Sequence, residues 1–194
     1  TSAVEVLERR TVAGLDASVL AASDAGALDA WLARNGYPSG PALRAWLERY
    51  VRGRWIVTAF RIDPFEVGPS FATRAVRMSF TAERPFFPYS EPQHAGARQA
   101  GRPFRVSVVA PYRVRALEGE RPWSARVGYA ARPGARLARA LRDIVPSRAV
   151  GPRAYLTVFD EPRSVRGADD LFFEPDPDQS AVASTIRARI LTGH

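Results

Sequence analysis

The chain has 194 residues, 46% of them apolar, which is enough to bury a sizeable core, and no run approaches the roughly 18 apolar residues that a membrane-crossing helix needs. It has no cysteine, so disulfides, thiolate zinc sites and cysteine nucleophiles are excluded. Its two histidines are His94 and His194, which leaves His94 alone for a Ser-His-Asp triad and leaves carboxylates for any metal site. The net charge of +8 rests entirely on 28 arginines, with no lysine.

Residues 3–12, AVEVLERRTV, read as a strand with imperfect alternation, and Ala13-Gly14 turns the chain into a second strand from Leu15 to Ala22. A helical hairpin follows over about 24–52. Ser23 is the expected cap of its first helix, and Leu28, Trp31 and Leu32 recur at three- and four-residue spacing. Asn35-Gly36 and Pro38 end that helix, because glycine takes the left-handed conformation without steric cost. Pro41 starts the second helix at its first position. Leu43, Trp46, Leu47 and Tyr50 form its apolar face, and Gly53 is the expected stop. Trp31, Trp46 and Trp55 read as core anchors, since each indole buries on the order of 200 Å².

Arg54–Asp63, RWIVTAFRID, is apolar on both faces, the pattern of a central strand covered on both sides. Thr73–Ala82 has the cleanest alternation in the chain, with Val76, Met78 and Phe80 expected to point inward. Residues 83–103 are proline-rich and extended. Phe104–Ala116 alternates again, with Pro111 marking an edge or a bulge. Residues 118–132 look turn-rich. A further helix is expected over about 134–145, with Leu137, Leu141 and Ile144 as its apolar stripe and Arg136, Arg139 and Arg142 outside it. Ala154–Phe159 reads as a strand, residues 160–179 as irregular, and Ser180–Leu191 as a terminal helix. Strands grouped around paired helices predict an α+β fold, mostly antiparallel sheet, in a single domain spanning 1–194.

Charge is segregated along the chain. Residues 101–150 carry eleven arginines against Glu118, Glu120 and Asp143, while residues 159–179 carry Arg163 and Arg166 against seven carboxylates. The two zones either face each other within the fold or mark separate surfaces. Arg113, Arg115, Arg136, Arg139 and Arg142 are the candidate binding residues, because a guanidinium donates in a planar fork that suits carboxylate and phosphate. Against this stands a solvated face partly neutralised by the acidic zone. Nucleic acid is disfavoured, since no recognised binding motif accompanies the arginines.

RPFFPYSEP, residues 84–92, offers Glu91 near His94 as an acid–base pair lined by Phe86, Phe87 and Tyr89. The competing reading is a proline-held segment whose aromatics pack on a sheet. The acidic residues Asp169, Asp170, Glu174, Asp176 and Asp178 lack the spacing of a calcium loop, and arginine pairing or simple solvation explains them better. Thr1 is a candidate N-terminal nucleophile in principle, but trimming of a longer chain accounts for it better.

Four stretches taken in order, ASDAGALDAWLARNGY, RWIVTAFRID, VRMSFTAERPFFPYSEP and YLTVFDEPRSVRGADDLFFEPDP, resemble a bacterial family, the domain of unknown function 2330. The resemblance runs from about Val4 to Asp178. It implies a bacterial, extracytoplasmic protein, periplasmic or secreted, without accepted catalytic residues, and it implies a further cysteine-containing segment N-terminal to the region seen here. On that basis the chain is expected to be the C-terminal part of a longer exported protein. The first functional expectation is a non-catalytic binding or structural module. Its arginine-rich face would meet an acidic protein or envelope polymer, its other partner would be the N-terminal part of the same protein, and no cofactor is implied. The alternative is a hydrolase that uses Glu91 and His94 with carboxylates of residues 160–178.

Overall fold

The computed structural model describes residues 2–12, 14–62, 76–92, 103–145, 150–162 and 167–182. Thr1, His94, residues 73–75 and all but the start of the expected terminal helix lie outside them. The chain divides into two compact units, Thr1–Thr81 with Glu91–Ala97, and Ala82–Ser90 with Arg98–His194. Helices and antiparallel sheets make the fold α+β, with more sheet than helix.

In the first unit, strands β1 (Val4–Val12), β2 (Leu15–Ala22) and β3 (Val57–Ile62) form an antiparallel sheet in the order β1-β2-β3. The imperfect alternation of β1 has a cause: the register shifts between Val6 and Glu8, so Leu7 is an inserted bulge residue. β2 is therefore the central strand. The sequence assigned that place to Arg54–Asp63, but β3 begins only at Val57, and its residues Phe60 and Ile62 are exposed.

Helices α1 (Ala25–Arg34) and α2 (Pro41–Arg52) cover one face of this sheet. Leu20 and Ala59 of the sheet pack with Leu28, Trp31, Leu32, Leu47 and Val51 of the helices. Asp24, not Ser23, caps α1: its carboxylate accepts from the Ala27 N–H at 2.6 Å, while Ser23 bonds back to Ala3. The end of α1 follows the sequence closely. Gly36 takes φ +76°, its N–H reaches Ala33 O and the Tyr37 N–H reaches Leu32 O, the paired bonds of a Schellman cap.

The end of α2 departs from expectation by one residue. Gly53 has φ −77°, and Arg54 takes the left-handed conformation at φ 56°, with bonds from Arg54 N to Val51 O and from Trp55 N to Tyr50 O. A Cβ on Gly53 would lie 2.7 Å from the Trp55 ring, so glycine is needed there for space rather than for handedness. Trp31 is buried, Trp46 is partly buried at the core margin, and Trp55 is half-exposed with its ring edge on Tyr50. Only the first is the full core anchor that the sequence suggested for all three.

Residues 76–82 form no ladder, and Val76, Met78 and Phe80 are exposed, so the strong alternation of this stretch does not produce an inward-facing strand among the described residues. Alternation expresses a preference for a half-buried sheet, and without a neighbouring strand the preference is not realised.

The second unit holds two sheets. One has the order β4-β10-β6-β7, from β4 (Phe86–Phe87), β6 (Val114–Glu118), β7 (Arg121–Pro122) and β10 (Leu171–Pro175). The other has the order β5-β9-β8, from β5 (Phe104–Ala110), β8 (Arg126–Ala131) and β9 (Tyr155–Glu161). Pro111 marks the point where the chain leaves one sheet for the other. Strands thus replace the turn-rich reading of 118–132 and part of the irregular reading of 160–179.

Between the sheets lies an aromatic core of Tyr89, Trp123, Phe159 and Phe173, with Phe87 and Phe104 packed against it. The opposite face of the β5-β9-β8 sheet is covered by α3 (Ala135–Ile144) through Leu137 and Leu141 against Leu156 and Val158. β9 is consequently buried on both faces, which its mostly apolar stretch Tyr155–Phe159 permits. Ile144, expected in the α3 stripe, is exposed.

Candidate arginine-rich interface

The two charge zones meet inside the second unit. β6 and β10 are antiparallel neighbours, and their register sets Arg115 opposite Glu174. Arg115 Nε donates to Glu174 Oε1 at 2.6 Å, and Arg84 lies 4.0 Å from the same carboxylate and 3.7 Å from Glu120. Arg105 of β5 pairs with Asp160 of β9, again directly across the ladder.

Arg113 is the most enclosed of these cations, with only 9% of its surface exposed. Its Nη1 donates to Asp178 Oδ2 at 3.1 Å and to Ser180 O at 2.9 Å. Its Nε lies 3.0 Å from Asp176 Oδ2, close enough for an ion pair, although the N–H is not aimed for a hydrogen bond. Gln179 brackets the Arg113 backbone, accepting from its N–H and donating to its carbonyl at 3.0 Å each. Residues 176–182 thereby form a strap that runs from the end of β10 to a bridge between Val182 and Ala130 of β8. Hydrogen bonds from the Ser180 hydroxyl and N–H, with help from the Arg113 charge, hold the Asp178 carboxyl below its ordinary value. Tyr155 lies under the strap, and burial, with Tyr155 beside it, pushes the Tyr129 phenol up.

Arg113 is therefore not on a solvent-facing surface, and Arg115 already has a carboxylate. The reason is the β6–β10 pairing, which links residues far apart in the chain and is invisible to local charge counting. Arg136, Arg139 and Arg142 are different. All three are exposed on the outer side of α3, and none has an ion pair among the described residues; Arg142 Nε donates to Ala138 O one turn back. Arg132 and Arg153, also exposed, join them: Arg132 Nη1 donates to Pro152 O at 3.2 Å, which sets it beside the turn that carries Arg153. Nothing in the residues around Arg153 ties it to α3, because the turn at 150–154 reaches the helix only through tertiary packing of Val150 and Ala154.

The aromatics of RPFFPYSEP behave as the packing reading expects. Phe87 and Tyr89 enter the core, and the Tyr89 and Ser90 N–H groups donate to the buried Asp170 carboxylate at 3.0 and 3.2 Å. Glu91 is partly buried, and His94 lies outside the described residues. Five of the acidic-zone carboxylates, Asp160, Asp170, Glu174, Asp176 and Asp178, serve structural pairings. No group of three or more ligating side chains suited to a metal ion occurs among the described residues. A shallow pocket of about 310 Å³ in the first unit is lined by residues 38–43 and Pro92, none of which titrates.

An antiparallel α+β chain with an arginine-bearing helix defines no enzyme class by itself. Residues 1–166 match the model of the family described as "Uncharacterized protein conserved in bacteria (DUF2330)", and the chain belongs to that family. No curated protein matches it, and no solved structure does. Among the described residues no helix is long and apolar enough to cross a membrane.

Proposed function

We propose that this chain is a non-catalytic binding module whose α3 surface meets an acidic partner outside the cytoplasm. One observation carries the reading: Arg136, Arg139 and Arg142 stay exposed without an ion pair among the described residues, while Arg84, Arg105, Arg113 and Arg115 of the same unit all have carboxylates. Leaving three cations together in solvent raises their mutual repulsion, and an anionic partner relieves it. The extracytoplasmic location rests on the family resemblance alone. The test is capture of envelope material on immobilised full-length protein, with the unsubstituted chain beside R136A/R139A/R142A. Loss of an acidic component with the triple variant is the expected result. Equal capture by both proteins would remove the reading.

A further inference from the structure

We propose that β3 is the contact edge of a two-fold homodimer, in which the β3 strands of two copies pair antiparallel and join their three-stranded sheets into one of six strands. The sheet of the first unit ends on β1 at one side and on β3 at the other, and among the described residues no strand lies beyond β3. An open edge presents unpaired N–H and C=O groups to any strand that meets it, and edges that stay single are protected by charges, a bulge or a proline. β1 has such protection: Glu5, Glu8, Arg9 and Arg10 are exposed along it, and its register shifts at Leu7. β3, VTAFRI, lacks it. Its one charge, Arg61, is turned back onto Asp16 at 3.2 Å and Asn35 O at 3.0 Å. Its other exposed side chains, Phe60 and Ile62, are large and apolar at 36% and 49% exposure, and Ile56 just before the strand is 54% exposed.

Symmetry and charge select a second copy as the occupant. In a two-fold antiparallel pair the residues that face each other lie on the same side of the sheet, so the axis passes through a single residue. With the axis at Ala59, Thr58 faces the second copy's Phe60, Val57 faces its Arg61 and Ile56 faces its Ile62. The Ile56–Ile62 and Thr58–Phe60 pairs are each formed twice, and cross-strand pairs of this kind stabilise a sheet. The Cα atoms of the two Arg61 residues are then about 14 Å apart, beyond the roughly 8 Å screening length at physiological ionic strength. Moving the axis to Phe60 halves their offset and brings them to about 8 Å, which favours the Ala59 register. An acidic strand would find on this edge only a guanidinium that Asp16 already matches. An apolar strand without unmatched charge finds its like, and β3 is itself such a strand.

The test is sedimentation equilibrium of the intact protein from micromolar to millimolar concentration at physiological salt, beside the variants T58K/F60K and T58E/F60E. The unsubstituted protein should pass from monomer to dimer over this range. Each double variant sets like charges directly across the seam, so its association should be weaker by about tenfold or more. An equimolar mixture of the two variants should restore the dimer as a heterodimer, a result that misfolding of either one cannot produce. An unsubstituted protein that stays monomeric throughout overturns the proposal, whether the edge is vacant or serves another chain. So does a dimer that T58K/F60K leaves intact. Variants whose urea midpoints match the unsubstituted protein yet do not combine when mixed overturn it too.

Discussion

Within one unit, the arginines beside β10 and those on α3 meet opposite fates, while Arg121 of β7 and Arg126 of β8 are exposed strand arginines outside this contrast. Arg113 and Arg115 flank and enter β6, and β10 lies alongside with Glu174, Asp176 and Asp178. Arg136, Arg139 and Arg142 lie on the outer face of α3, whose inner face is committed to Leu156 and Val158. A strand's neighbour is another strand at ladder distance, so a cation there can be met by a carboxylate across the sheet. The outer face of a helix that packs on only one side has no such neighbour, and its cations remain available. Cationic side chains of one type thus do structural work in one place and stay exposed to solvent in the other.

The sharpest way to break this contrast is to remove a cation from each side. Arg113→Ala leaves Asp176 nearly buried without its partner and unties the strap, so urea unfolding should show a loss of about 3 kcal/mol, the usual cost of breaking an enclosed ion pair. The same substitution should leave binding to anionic polymers unchanged for whatever fraction remains folded. Next in size is a backbone effect on the strand side. Gly119 opens the β6–β7 hairpin at φ +59°, and a Cβ there would lie 3.0 Å from the Asp169 carboxylate. Gly119→Ala should cost about 1 kcal/mol in the same unfolding measurement. Arg115→Ala, whose pair is half-exposed, should cost less, about 0.5 kcal/mol.

Acid should separate the two sets as well. The Asp178 carboxyl is lowered in the folded protein, so its contribution is fully present above its ordinary value of 3.8 and fades as the pH drops below that. The unfolded chain binds the proton more readily in that range, so stability falls with pH. Asp178→Asn should flatten this part of the acid limb in a pH series of unfolding midpoints. An unaltered limb would show that the strap's charge is not coupled to folding. The smallest stability effect belongs to the helix: Arg139→Ala should move the unfolding free energy by less than about 0.5 kcal/mol.

Much of the local structure was legible beforehand, and the failures have a common cause. The Schellman end at Asn35-Gly36, the Pro41 start and the amphipathic α3 are each set by residues within one or two turns. Asp24 replacing Ser23 as the cap is a choice between adjacent residues of nearly equal capping strength. Strand partnership, by contrast, is non-local. LFFEP, residues 171–175, falls in a stretch that reads as irregular, yet it pairs with both β4 and β6. Val76–Ala82 looked ideal as a strand and forms no ladder. For the candidate site, Arg113 and Arg136 were equivalent in sequence, since nothing near either residue reveals which carboxylates the fold brings up. Whether the acidic and basic zones face each other or mark separate surfaces was left open; they meet at Arg105, Arg113 and Arg115, while the α3 arginines of the same zone stand apart.

The central claim is that the α3 arginines recognise and the β6 arginines stabilise. Salt-dependent retention of R136A/R139A/R142A on a sulfated polysaccharide column, measured beside its urea midpoint, tests it most directly. The account predicts that retention collapses while the midpoint stays within about 0.5 kcal/mol of the unsubstituted protein. Retention that survives the triple substitution, or a midpoint that falls together with it, would contradict the division of labour.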